Sequence, residues 1–462
     1  MRVARWFLAM SMIALLPGGF AAHFAAAHAA SPAPQSSATP PASATPGAPG
    51  APASGQQAYS LPPDKLAKAI EISRIRNILD IVGSLWQLAV LWLLLFTRTA
   101  ARLEAEIKRI APHRWAQGIF FFAAILIITW LAGLSLSMYG HYVERSYQIS
   151  VQPWAGWFSD HAKGLGFAIA FTAPLFLFFN WIVRRWPRRY WLGAWLVTLP
   201  ILVIVFFVEP LIEPFFEKYE PLQAHNPALV ADLEKVVTRT GTDIPPSRMY
   251  LMKASLKTNG LNAYVTGIGA TKRIVVWDTT AGRIPNDEIV FIFAHECGHY
   301  VLRHIPKTIA LLAVFLFFVY LFCAWFAEWM VIRFGARWGL LDPDEFDKLQ
   351  PWQEKRTGFL VLIFAISIMM FLLQPVENAG SRYFEHQADV FGQEAVHGIV
   401  PDPQKTAVAA FNDLGAAWLD DPNPNPLIEF WLFSHPSTEH RAEFAEHYDP
   451  WANGGRGKFF PK

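Results

Sequence analysis

Cysteine and charge are both scarce in this chain. Two cysteines, Cys297 and Cys323, cannot make a disulfide framework. If the helix carrying Cys297 continues, they also lie too far apart along it to pair. Charged residues are 16% of the sequence against 53% hydrophobic, and the mean hydropathy is +0.25. That balance belongs to a polytopic membrane protein. The formal net charge of +2 says little about partners, and no nucleic-acid signature accompanies it. The cluster Arg184-Arg185-Trp186-Pro187-Arg188-Arg189 reads as an inside-facing membrane loop. There is no internal repeat, and the sequence carries no signal for oligomeric state.

The first thirty residues have the order of a secretory signal. Arg2 and Arg5 precede an apolar run, Trp6–Leu16, and Ala27-His28-Ala29 offers a cleavage site. Residues 1–30 are therefore a signal peptide or an uncleaved signal anchor. Residues 31–57 are Pro, Ala, Ser and Gly, a composition that builds no core and reads as a disordered linker. Six apolar segments follow that can span a bilayer, at about 78–97, 118–138, 164–183, 190–208, 308–327 and 358–376. The expected organisation is a four-span membrane domain, 58–208, and a second, largely polar domain, 209–462, that includes the last two spans.

Loop charge gives the orientation. The loop after the first span carries Arg98, Arg102, Lys108, Arg109 and Arg114, and the third span is followed by four arginines. The fifth is followed by Arg333, Arg337, Lys348, Lys355 and Arg356, whereas the loop after the second offers only Arg145 and Lys163. The positive-inside rule places the three basic loops in the cytoplasm. Both large polar regions then face the outer, periplasmic side of an inner or plasma membrane.

One pentapeptide carries chemistry. His295-Glu296-Cys297-Gly298-His299 puts two imidazoles four residues apart, on one face of a helix and within reach of one metal ion. Glu296 lies beside them, where it can take a proton from a water that the metal activates. Pro285-Asn286-Asp287-Glu288 reads as the helix start, with Asn286 capping and acids in the first turn. Small Gly298 leaves room for another element to approach. Cys297 projects about 100° from each metal-facing position and is an unsuitable ligand.

Catalytic zinc usually takes a third protein ligand plus a water. His299 precedes the fifth span by nine residues, roughly 14 Å of helix. The residues after the sixth span emerge on the same side of the membrane. Nine residues beyond Val376 is Glu385, at a similar height. Glu377 and His386 are rivals by residue type, but Glu377 is nearer the membrane and His386 points about 100° from Glu385. Asp389, one turn beyond Glu385, is placed to hold a ligand histidine through its second ring nitrogen. His304, five positions from His299 and off its face, reads as a helix-surface residue.

These residues, taken in order, resemble the CAAX prenyl protease type 1 family, the a-factor-converting type of integral membrane zinc metalloprotease. The matching stretches are Pro214–Lys218 with Pro221-Leu222, Asn262-Ala263-Tyr264, Lys272–Thr279, the His295–His299 motif with His304, Ser381-Arg382 with Glu385 and Ala388-Asp389, and Ser434-His435-Pro436 with Arg441. The resemblance implies a mainly α polytopic fold of about six transmembrane helices enclosing a water-filled chamber, with a small α+β gluzincin-like metalloprotease domain. It implies one zinc ion per chain, held by His295, His299 and Glu385, with Glu296 as general base. His435 resembles the family's oxyanion-stabilising histidine, and Asn262 and Tyr264 resemble its substrate-facing wall. Arg441 is expected to pair with an acid, near the site or as a structural salt bridge. The β-branched run Arg273–Trp277 reads as a buried strand, and the expectation is that it binds the peptide by strand addition.

The function this points to is hydrolysis of peptide bonds in peptide or protein substrates at the lipid bilayer, in processing or quality control of envelope proteins. Two alternatives are a CAAX-type protease for prenylated proteins and, from another class, a catalytically idle zinc-binding scaffold. Intact Glu296 and His435 speak against the last.

Overall fold

The structure, a computed structural model, describes residues 57–267, 269–341 and 351–461. The expected signal, 1–30, and all but the last residue of the expected linker, 31–57, lie outside the described residues. Among the described residues, five helices are long and apolar enough to cross a membrane: α1 (Pro63–Phe96), α3 (Arg114–Ser146), α4 (Trp154–Arg185), α8 (His304–Trp338) and α9 (Arg356–Ala395). Between α1 and α3 lies the shorter α2 (Thr99–Ile110). The expected fourth span falls in α5 (Tyr190–Ile212), an apolar helix of 23 residues.

The segments read as basic loops meet at one end of this bundle. Arg98 Nε donates to Arg337 O at 2.8 Å, Arg356 Nη2 to Arg114 O at 2.9 Å, and Gln353 Nε2 to Pro187 O at 2.9 Å. Buried Glu104 on α2 accepts the Thr357 N–H and hydroxyl, each at 2.9 Å, fixing the start of α9. At the opposite end the α3–α4 connection touches the polar regions: Ser150 bridges Thr258, and Lys257 Nζ pairs with Asp160 at 2.7 Å and Glu217 at 3.1 Å. The apolar residues of α8 and of the first half of α9 pack with those of α1, α3, α4 and α5 in one core.

The second core belongs to the polar regions. A four-stranded sheet has the order β1-β2-β4-β3, with β1 Tyr219–Pro221, β2 Met249–Met252, β3 Ala263–Thr266 and β4 Arg273–Trp277. β2 and β4 run parallel, and the other two pairs are antiparallel. Helix α6 (Pro227–Thr240) starts on Asn226, whose side chain accepts the Leu229 N–H, and stops at Gly241 with φ 67°. Helix α7 (Asn286–Val301) carries the pentapeptide. Its first turn has Asp287 and Glu288, favourable at a positive helix start, and Ile289 to Ala294 are buried. Asn286 does not cap it, because its side chain is engaged with Asn226 at 3.1 Å and no side-chain cap bond forms. Helices α10 (Pro403–Trp418), α11 (Pro426–Leu432) and α12 (Thr438–His447) complete the unit.

Both ends of the described chain are pinned to this unit. Glu439 on α12 accepts the N–H groups of Ala58 and Tyr59 at 3.2 and 2.6 Å, and Tyr59 is fully buried. Buried Glu394 on α9 accepts the N–H groups of Lys458, Phe459 and Phe460 at 2.6, 2.6 and 2.9 Å.

Two glycines let α7 and α9 cross closely. A Cβ on Gly392 would lie 2.9 Å from His295 N and 3.0 Å from its Cα, and one on Gly298 would lie 3.1 Å from the Phe391 side chain. Phe391 need give only a few tenths of an ångström, whereas at Gly392 the His295 backbone itself must shift. Gly392→Ala therefore strains the crossing by about 1–3 kcal/mol, whereas Gly298→Ala is milder. We expect Gly392→Ala to lower the thermal unfolding temperature of the purified protein more than Gly298→Ala. Equal behaviour of the two variants would refute this account of the crossing.

Candidate active site

Helices α7 and α9 bring three side chains to one point. His295 Nε2 and His299 Nε2 are 3.2 Å apart, and Glu385 Oε2 and Oε1 lie 3.3 and 3.6 Å from them respectively. All three residues are buried, Glu385 completely. His295, His299 and Glu385 form the group among the described residues whose donor atoms could hold a metal ion. Its rivals stand apart from it. The His386 ring packs on Phe444 at 4.6 Å, and Glu377 lies two turns nearer the membrane on α9.

The donor set fits a tetrahedral metal. Bonds of about 2.0–2.1 Å from His N and Glu O to zinc give tetrahedral edges of about 3.3 Å, matching these separations. Both Glu385 oxygens are buried and accept no hydrogen bond, a costly condition for a carboxylate that a cation removes. Cys297 is fully buried against Thr242, at 3.7 Å, away from the group. Burial pushes its thiol up to about 12, so it stays protonated.

Each imidazole has a partner on its far side. Asp389 Oδ1 meets His295 Nδ1 at 2.8 Å. Arg441 on α12 holds Asp389 from both of its oxygens, Nε to Oδ2 at 3.0 Å and Nη2 to Oδ1 at 2.5 Å. Arg441 thus pairs with an acid that touches the site. Burial alone would lower His295, but the hydrogen bond to Asp389 and the adjacent Glu385 carboxylate raise it to about 9. Burial holds His299 well below the ordinary histidine value, against the pull of Glu385. His304, read from the sequence as a surface residue, is buried, and its Nδ1 lies 3.0 Å from His299 Nδ1. The surface reading assumed a continuous helix, but the chain turns at Arg303, φ 56°, and restarts as α8. No glycine marked that turn.

Glu296 and Tyr300 are the half-exposed members of the motif's last two turns. His435 follows α11, and its Nε2 reaches 3.4 Å from Glu385 Oε1 with 38% of the side chain exposed. Arg382 holds the loop that carries it: Nη1 donates to Glu429 O at 3.1 Å and to Phe433 O at 2.5 Å, while Asn378 Nδ2 donates to Trp431 O at 2.6 Å. Sequence reasoning noted Arg382 without giving it this role.

The strand expectation needs correcting. Arg273–Trp277 is β4, paired on one side by β2 and on the other by β3, so neither edge of it can accept a peptide. The sheet's edge strands are β1 and β3, and β3 is the one that shares a core with α7. Trp277 N donates to Asn262 O at 3.0 Å, so by antiparallel alternation Ala263 and Val265 turn their main-chain groups away from β4. Asn262 sits at the head of this strand, half-exposed. Tyr264 is not brought to the His-His-Glu group. Its hydroxyl donates to Glu213 Oε1 at 2.9 Å, and it packs with Met252 and Trp277 on the face away from the core that holds α7.

Comparison with known proteins agrees with this architecture. Residues 223–449 match Peptidase family M48, and residues 51–218 match the family described as CAAX prenyl protease N-terminal, five membrane helices. The chain is 32% identical to the uncharacterized metalloprotease YhfN of Bacillus subtilis, over 84% of this chain and 86% of the relative. It is 26% identical to CAAX prenyl protease 1 of Saccharomyces cerevisiae, over 71% of each. The crystal structure of S. mikatae Ste24p superposes with a TM-score of 0.71 at 21% identity, covering 84% of this chain and 90% of that one. Fold and relatives together define an integral, multi-pass membrane metalloprotease acting on peptide or protein substrates. The chain belongs to peptidase family M48, in the CAAX prenyl protease type 1 family.

Removing the partner of His295 tests the arrangement. Asp389→Asn should weaken affinity for a divalent metal about 10–100-fold, measured by competition with a chelator. Wild-type affinity in that variant would refute a role for Asp389 in holding the ligand.

Proposed function

We propose that this protein is a zinc metalloendopeptidase in which His295, His299 and Glu385 hold one zinc ion. The observation that carries this reading is the convergence of those three donors beside an accessible Glu296. When bound, zinc supplies Lewis acidity that polarises the scissile carbonyl and makes water a stronger acid. Glu296 takes a proton from the attacking water and returns one to the leaving amine. His435 donates to the developing oxyanion, a kind of contact whose loss typically costs about 10²–10³ in rate. The peptide adds as a strand to the outer edge of β3, at Ala263 and Val265, with Asn262 at the head of the strand. Tyr264 shapes the wall of that strand from its other face.

The zinc peptidase domain is 209–462, with two spans of its own, and the four-span domain is 58–208. The membrane helices enclose the chamber from which substrate reaches the metal. The basic loops support an outward, periplasmic placing of the site, and with it a role in processing or quality control of envelope proteins. The names of the relatives, CAAX prenyl protease 1 in yeast and its homologues elsewhere, support the second reading, a protease for prenylated C-termini.

Purified zinc-loaded protein, beside Glu296→Gln, should be offered a farnesylated C-terminal peptide and its unmodified twin. We expect the wild type to cut both and the variant neither, with zinc content unchanged. Cleavage of the lipidated peptide alone would establish the second reading, and activity in zinc-loaded Glu296→Gln would overturn the assignment of the base.

For orientation, a cysteine at exposed Leu427 on α11 should react in intact cells with a maleimide that cannot cross the membrane. Labelling only after lysis would place the site in the cytoplasm.

A further inference from the structure

We infer that Gln387 and His304 form a neutral relay that sets the tautomer and the orientation of His299, and are positioning residues for the metal. This rests on the zinc-peptidase reading proposed above. The observation is a chain of contacts on the side of His299 that faces away from Glu385. His304 Nδ1 lies 3.0 Å from His299 Nδ1, and His304 Nε2 lies 3.1 Å from Gln387 Oε1. The His304 ring is only 2% exposed and stacks on Phe384 at 4.6 Å and 27°. Phe384 and Gln387 flank Glu385 on α9. The helix that supplies the carboxylate to one side of the metal group therefore also reaches round to the back of His299.

A neutral imidazole has one N–H and one lone pair, and the hydrogen bond at one nitrogen decides what the other offers. Where Gln387 Oε1 accepts, His304 carries its proton on Nε2 and presents the Nδ1 lone pair. His299 must then donate from Nδ1, which leaves its Nε2 lone pair directed at His295 Nε2 and Glu385. Run backwards, with the Gln387 amide N–H₂ donating, the same chain puts the proton on His299 Nε2 and blocks it as a ligand. The acceptor direction is thus the one compatible with a metal.

The two ligand imidazoles are held by different means. His295 is held by the ionised Asp389, itself locked by Arg441, and His299 by two uncharged side chains. The αL turn at Arg303 is what brings His304 under His299. This gives a local backbone irregularity a purpose in the site.

The test uses the full-length protein in detergent, with zinc affinity read by chelator competition and folding checked by thermal unfolding of the metal-free form. Gln387→Leu removes the acceptor, and His304→Phe keeps a ring on Phe384 but breaks the relay. Each should weaken zinc binding about 10–100-fold. Gln387→Glu, which can only accept, should keep wild-type affinity or exceed it. Because both residues act through one chain, the double variant Gln387→Leu/His304→Phe should bind zinc no more weakly than His304→Phe alone. Wild-type zinc affinity in folded Gln387→Leu, or additive losses in the double variant, would overturn the relay while leaving the peptidase reading intact. A wild-type protein that takes up no zinc would overturn both.

Discussion

The close crossing of α7 and α9 is the contact on which the rest of this molecule depends. His295 and His299 come from the first helix, Glu385 and Asp389 from the second, and Gly392 lies against the His295 backbone where they touch. Helix α9 is continuous from the basic-loop end of the bundle, where Glu104 fixes its start, to the peptidase unit, where Glu394 gathers residues 458–460. It is at once the sixth apolar segment and the wall of the metal group. One rigid helix thus couples the height of the site above the membrane to the packing of the bundle. Separate elements joined by a loop could not fix that height.

Charge balance at the crossing points the same way. Two buried carboxylates, Glu385 and Asp389, face one guanidinium, Arg441. With both imidazoles neutral the cluster carries one uncompensated negative charge among buried groups, an expensive arrangement. Lifting His295 to about 9 is how the protein alone meets the deficit. A divalent cation among the same donors meets it by displacing that proton, the usual coupling between metal uptake and proton release.

Much of this was legible in the sequence because helices obey fixed rise and rotation. The four-residue spacing of His295 and His299 puts both on one helix face, whereas the height argument for Glu385 takes the chain from His299 to the fifth span as one helix, which the turn at Arg303 breaks. Asp389 falls one turn beyond Glu385 on the same helix, and the structure finds it against His295. What escaped depended on non-local pairing or on a single backbone angle. Strand order gave no local signal, so the peptide edge was sought on β4 instead of β3. The αL conformation of Arg303, in a residue type with no preference for it, hid the break that carries His304 beneath His299. Asn286 had the composition of a cap, but Asn226 claimed its side chain. Arg382 gained its place from carbonyls of α11, a helix some fifty residues away along the chain.

The two pins at the chain's described ends bear on the order in which the site is assembled. Glu439, which grips Ala58 and Tyr59, sits two residues from Arg441, and Glu394, which gathers residues 458–460, sits one turn beyond the crossing. His435 and Arg441 themselves lie late in the sequence. A nascent chain emerging from the ribosome can hold the pentapeptide and the membrane helices described above and still lack the arginine that steadies Asp389, the histidine beside Glu385 and the clasp behind α9. Arg441 and His435 thus leave the ribosome only after both helices of the crossing, so the metal donors exist in the chain before the groups that steady them.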